Sequence, residues 1–281
     1  MSNFSELTEM CSQVRRDIVR MVHSCQSGHP GGSLGCVEFF VALFFSIMKH
    51  DPNFKMNGKN EDLFFLSNGH ISPVYYSVLS RSGYFPLNEL KTFRKINSRL
   101  QGHPATHEKL PGIRIASGSL GQALSVAIGS AISKKLNNEK NTVFCLCGDG
   151  ELQEGQIWEA VMYAGAKKVD NLILTIDVNR QQICGSTDEI LNLGDLQKKF
   201  SAFKWKVINV ENGNKIEEVI EKLKLSKLKS SKGLPVCLLL NTEMGYGVDF
   251  MMGSHKWHGI APDNEQLEIA LKQLEETIGD Y

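Results

Sequence analysis

Five short apolar runs rich in β-branched and aromatic residues, at 62–66, 142–147, 172–177, 205–210 and 235–241, are separated for the most part by stretches of helical periodicity. A strand buried on both faces reads as a continuous apolar run, and strands joined through helices run parallel. The alternation therefore predicts an α/β fold, a mostly parallel sheet with helices on both faces. Upstream, the pattern predicts a helix over 5–24 opening on a Ser5 cap and a second over 34–49. Ser72-Pro73 predicts a further helix start, with serine as cap and proline in the first turn. There is no repeat and no low-complexity linker, so residues 1–281 read as one domain with a long, loop-rich N-terminal third.

Composition narrows the function. An apolar content of 42% suffices for a large core, and 31 basic residues balance 31 acidic ones. The whole-chain field thus gives no general attraction to nucleic acid or to anionic lipid, and neither is expected as a partner. The lysine-rich stretch 222–232 interleaves Leu223, Leu225 and Leu228, as in an amphipathic helix with a solvated face. The most apolar window, 36–48, is too short for a membrane span and contains Glu38, so a buried helix is expected there. The N-terminus lacks the basic-then-apolar order of a signal peptide, and the 7 cysteines include no C-x-x-C pair. Reduced thiols and a cytoplasmic location are expected.

The run at 142–147 leads straight into Gly148-Asp149-Gly150. Alone, that tripeptide is an ordinary turn. In an open parallel sheet, however, ligands collect beyond the carboxyl ends of strands, where loops enter helix N-termini. The next strand ends at Asp177-Val178-Asn179, which brings Asn179 to the same rim as Asp149. A carboxylate, an amide oxygen and a backbone carbonyl, completed by phosphate oxygens and water, form the hard oxygen shell that Mg²⁺ prefers and that Ca²⁺ or Mn²⁺ also accepts. With so little protein charge, the metal would bind together with a phosphate ligand.

GDGELQEGQIWEA at 148–160 followed by DVNRQQICG at 177–185 resembles the thiamine diphosphate signature in the form found in transketolases. The resemblance continues through SGHPGG at 27–32, LSNGH at 66–70, FRKINSRLQGHP at 93–104, SGSLGQALS at 117–125 and HKWHG at 255–259. It implies that Asp149, Asn179 and the carbonyl of Gln181 bind the metal, and that Gly150 and the turn of Gly118, Ser119 and Leu120 touch thiamine diphosphate. It further implies that His29, His103 and His258 face a sugar, with His70 and His258 against the cofactor. None of these histidines has zinc-ligand spacing. The implied reaction moves a two-carbon ketol unit from a ketose, free or phosphorylated, to an aldose, with the cofactor ring as electron sink.

The family's middle domain, which binds the aminopyrimidine and supplies the activating glutamate, has no counterpart in these residues. The resemblance therefore implies the N-terminal subunit of a split transketolase, inactive until a C-terminal subunit carrying the pyrimidine-binding domain joins it in an α2β2 heterotetramer. Glu154 and Glu159 match acidic positions that the resemblance places at that interface. The sequence departs from the family's pattern at Ser119, Ala123, Cys184 and Ile260, and none of these removes a metal ligand. Two other readings stay open: a subunit of a 2-oxo acid dehydrogenase or specialised ketol or acyl transferase, and a non-catalytic scaffold. The four histidines speak against the dehydrogenase. Asp149, Asn179 and His258 speak against the scaffold.

Overall fold

The computed structural model describes residues 3–281. In chain order its main elements are α1 (Phe4–Cys25), α2 (Pro30–Gly35), α3 (Val37–Ala42), β1 (Leu63–Leu66), α4 (Ser72–Arg81), α5 (Ala123–Leu136), β2 (Val143–Gly148), α6 (Gly155–Ala166) and β3 (Leu172–Val178). A two-residue hairpin follows, β4 (Gln181–Gln182) with β5 (Gly185–Ser186). The chain continues through α7 (Thr187–Leu191), α8 (Leu196–Ala202), β6 (Lys206–Val210), α9 (Ile216–Lys229), β7 (Val236–Asn241) and α10 (Asn264–Gln273). The five apolar runs form one parallel sheet in the order β1-β2-β3-β7-β6.

Side chains alternate across this sheet with a period of two, so each strand feeds two cores. Phe64, Leu66, Phe144, Leu146 and Ile173 join the core that holds α1, α3, α4 and α9. Leu63, Phe65, Cys145, Cys147, Leu174 and Ile176 join the core under α5, α6 and α8. Parallel pairing aligns Leu66 with Leu146 and Gly148 with Asp177, so the carboxyl ends of β1, β2 and β3 finish along one rim. Among the described residues no helix is long and apolar enough to cross a membrane.

The structure corrects several expectations. Asn3, not Ser5, caps α1, accepting from the Ser5 amide while Glu6 returns to the Asn3 amide. The single helix expected over 34–49 is two helices broken at Cys36, then a π-helical turn at Leu43–Ile47. It starts earlier because Pro30 occupies the first turn of α2. Ser72 lies inside α4 and donates its hydroxyl to the Gly102 carbonyl instead of capping the helix. The loop-rich part is not the whole N-terminal third, which is largely helical, but the stretch 82–122 with its short 3₁₀ turns. In α9, Leu228 is exposed, whereas Lys227 folds inward to pair with buried Asp62 at 2.7 Å. One member of the expected solvated lysine face is thus a structural cation.

Candidate active site

Four histidines arrive from four separate segments. His29 precedes α2 as its N-cap, His70 sits in the turn Gly69–Ile71 beyond β1, His103 lies in the irregular stretch before α5, and His258 ends the turn His255–His258. Their ring centroids lie 5.1 Å (His29–His70), 5.6 Å (His29–His258), 6.2 Å (His29–His103) and 5.0 Å (His70–His258) apart. Two glycines make this approach possible. A Cβ on Gly31 would stand 2.7 Å from the Trp257 carbonyl oxygen, so only glycine lets the His258 segment close onto α2. Gly118 has φ +126°, and a Cβ there would stand 2.7 Å from Cδ2 of His103.

Burial, with His258, Arg94 and His103 adding to it, pushes His29 down to about 4. His70 is lowered by burial and by the other three imidazoles, His103 by burial and Arg94, and His258 by burial. At neutral pH all four are uncharged rings, each with one N–H to donate and one lone pair to accept.

The same cavity, about 420 Å³, reaches the acidic corner at the ends of β2 and β3. Asp149 is 2% exposed, with Oδ1 accepting from the Gly150 amide at 2.7 Å and Oδ2 from the Arg180 amide at 2.6 Å. Asn179 donates Nδ2 to Asp177 at 2.8 Å and accepts the Gln181 amide on Oδ1 at 2.9 Å, which fixes the orientation of its own amide. Burial and the neighbouring Asp177 raise Asp149 to about 7. Asp177 is itself raised by burial.

His29, His70, His103, His258, Gly118, Leu120, Asp149, Gly150, Glu154, Asn179 and Gln181 all line this cavity. Ser119, between Gly118 and Leu120, is exposed and is not among the lining residues. Glu154 is exposed in the single chain, at the N-cap of α6, and Glu159 is exposed on the same helix. A larger groove of about 1210 Å³ runs beside β1 and α5, but it is rich in lysine and asparagine and has no histidine, whereas the smaller cavity gathers the four histidines and the acidic corner.

Glu151, Asp177 and Asn68 also reach the cavity and escaped sequence reasoning as site residues. Glu151 is 2% exposed and accepts from the Ser67 hydroxyl, from the Gly121 amide at 2.6 Å and from the Gly148 amide at 3.1 Å. It ties the ends of β1 and β2 to the Gly118–Gly121 turn. Its signal was an acidic residue directly after Gly150, but nothing local tells an inward carboxylate from an outward one.

A metal with a phosphate ligand fits these residues. Among the described residues no three His, Cys, Asp or Glu side chains are grouped to hold an ion, so any shell must draw on amide and carbonyl oxygens. The corner supplies them in Asn179 and Gln181. The pressure that lifts Asp149 to about 7 is the pressure that a cation would relieve. Oδ1 of Asn68 and Oε1 of Gln182 are buried at the corner without partners, as polar groups awaiting a ligand are.

Over residues 7–277 the chain matches the family described as transketolase, thiamine diphosphate binding domain. It is 36% identical to an apulose-4-phosphate transketolase subunit of Actinobacillus succinogenes, over 98% of each chain. It is 35% identical to a 6-deoxy-6-sulfo-D-fructose transketolase subunit of a Clostridium species, over 96% of each chain. Homo sapiens transketolase is 33% identical over 95% of this chain, which spans 42% of that longer protein. The crystal structure of Campylobacter jejuni transketolase superposes with a TM-score of 0.88 at 34% identity, covering 97% of this chain and 43% of that one.

Proposed function

The chain belongs to the transketolase thiamine diphosphate-binding domain family, and on that footing we propose that it is the diphosphate-binding subunit of a two-chain transketolase using Mg²⁺. The observation that carries this reading is the joining, in one cavity, of four neutral histidines with the Asp149–Asn179–Gln181 corner. Asp149, the Asn179 amide oxygen and the Gln181 carbonyl would hold the cation. Gly150, Gly118 and Leu120 would border the cofactor, with His70 and His258 against it. Thiamine diphosphate, when bound, supplies the electron sink that cleavage beside a ketose carbonyl requires.

The remaining chemistry belongs to the chain. Uncharged His29, His103 and His258 can each donate to a carbonyl or hydroxyl oxygen of a sugar, or take a proton from it, without burying a net charge. The cavity walls hold the rings within about one ring's width of each other, so donors are oriented before a ketose enters. The substrates proposed are a ketose and an aldose, free or phosphorylated. The partner proposed is a separate C-terminal subunit with a pyrimidine-binding domain, in an α2β2 assembly. The relatives whose length this chain matches end to end are themselves termed subunits, which supports a divided enzyme.

Calorimetry of thiamine diphosphate on the chain, with Mg²⁺ and with EDTA, tests the corner. Binding should require the cation and should vanish in Asp149→Ala. Equal affinity in EDTA, or full affinity in the variant, refutes the assignment.

A further inference from the structure

Asn68 stands two residues beyond the end of β1, is 2% exposed, and lines the cavity. Its Oδ1 is buried with no hydrogen-bond partner among the described residues. Its Nδ2 and Cβ lie 3.8 and 3.9 Å from where a Cβ on Gly148 would stand, so the amide faces the acidic corner across the gap that glycine leaves. Leaving such a group unpaired is destabilising, and native folds rarely tolerate it without a use. The adjacent Ser67 cannot help, because its hydroxyl is spent on Glu151. Gln182 repeats the pattern on the other flank. Its Oε1 is also buried and unpartnered, 3.4 Å from where a Cβ on Gly150 would stand. Two unpartnered amide oxygens, from two different segments, therefore bracket Gly148-Asp149-Gly150.

We propose that Asn68 is a further ligand-holding residue of this site, whose amide is satisfied only when an anionic oxygen and a hydrated divalent cation occupy the Gly148–Gly150 corner. This rests on the reading that the corner takes a diphosphate with Mg²⁺. A primary amide carries both a donor, suited to a phosphate oxygen, and an acceptor, suited to the water of a hydrated cation. That two-sided character suits an amide here, where an ionised carboxylate could only accept and would add charge beside Asp149.

The role predicts opposite effects on the ligand-free and the loaded chain. Thiamine diphosphate with Mg²⁺ is titrated calorimetrically, to millimolar concentration, into the wild type, Asn68→Ala and Asp149→Ala, and each chain is also melted without ligand. Asn68→Ala should weaken binding by about 5- to 30-fold. Its ligand-free unfolding midpoint should be unchanged or raised, because the variant no longer buries an unpaired amide. Unchanged affinity, or a midpoint lowered by several degrees, assigns the side chain to the fold and overturns the proposal. Should alanine prevent folding, Asn68→Ser, which keeps a small polar group, is held to the same two readouts. A wild type that binds nothing overturns the diphosphate reading and this proposal with it. Binding that Asp149→Ala abolishes and Asn68→Ala leaves intact overturns the role of Asn68 alone.

Discussion

Replacing Glu151 by alanine removes an acceptor that three donors share: the Ser67 hydroxyl and the amides of Gly121 and Gly148. Ser67 is 0% exposed and Glu151 2%, and without the carboxylate these donors are left with only water from the adjoining cavity as a partner. Each donor so orphaned costs about 1–3 kcal/mol. Burial raises the carboxyl of Glu151 above its ordinary range, so the wild type already bears a desolvation cost that alanine would relieve. The net loss should be about 3–5 kcal/mol, toward the low end of the summed penalties. Glu151→Gln keeps the shape and one acceptor but turns an N–H toward at least one donor, and should lose about 1–3 kcal/mol. Urea unfolding followed by circular dichroism reads both values from the midpoint at constant slope. Glu159→Ala, on the exposed face of α6, is the control and should stay within about 0.5 kcal/mol. A loss below about 1 kcal/mol for Glu151→Ala would refute the idea that this carboxylate holds three loop ends together.

His29 is held at about 4 in the fold against an ordinary imidazole value near 6.5 when unfolded, so the unfolded chain binds the extra proton first. Its contribution is complete above about 6.5 and is lost as pH falls toward 4. Between about pH 7 and about pH 5 the wild type should therefore lose more stability than His29→Gln, as measured by paired urea titrations; parallel losses would contradict the burial of a neutral ring. In the enzyme assembled with its partner, His258→Ala should lower turnover by roughly 10²-fold, more than any weakening of cofactor binding accounts for at saturating cofactor. Normal turnover there would make His258 a packing residue. Glu154→Lys should weaken assembly of the two chains in light scattering more than Glu268→Lys on α10, and equal effects would remove Glu154 from the interface.

The strands and the corner were legible in the sequence because both are written locally. Continuous apolar runs such as 142–147 encode a strand buried on two faces, and Gly148-Asp149-Gly150 directly after one can only fall at its carboxyl end. Asn179 follows from the same rule applied to β3. Family motifs carried the four histidines, which no periodicity or spacing would have grouped. Local signals failed where a distant contact decides. The helix expected over 34–49 breaks at Cys36, where a Cβ on neighbouring Gly35 would stand 2.9 Å from the Glu243 carbonyl oxygen, a contact with no trace in the residues around it. Ser72 looks like a cap but spends its hydroxyl on Gly102. Glu151 and Glu154 belong to one acidic motif, yet one is buried under three donors and the other is exposed at the cavity's edge. The uncharged state of the histidines is likewise a tertiary property. Each ring alone would titrate near neutrality, and only mutual approach and burial, set by the parallel register and by Gly31 and Gly118, drive the proton off.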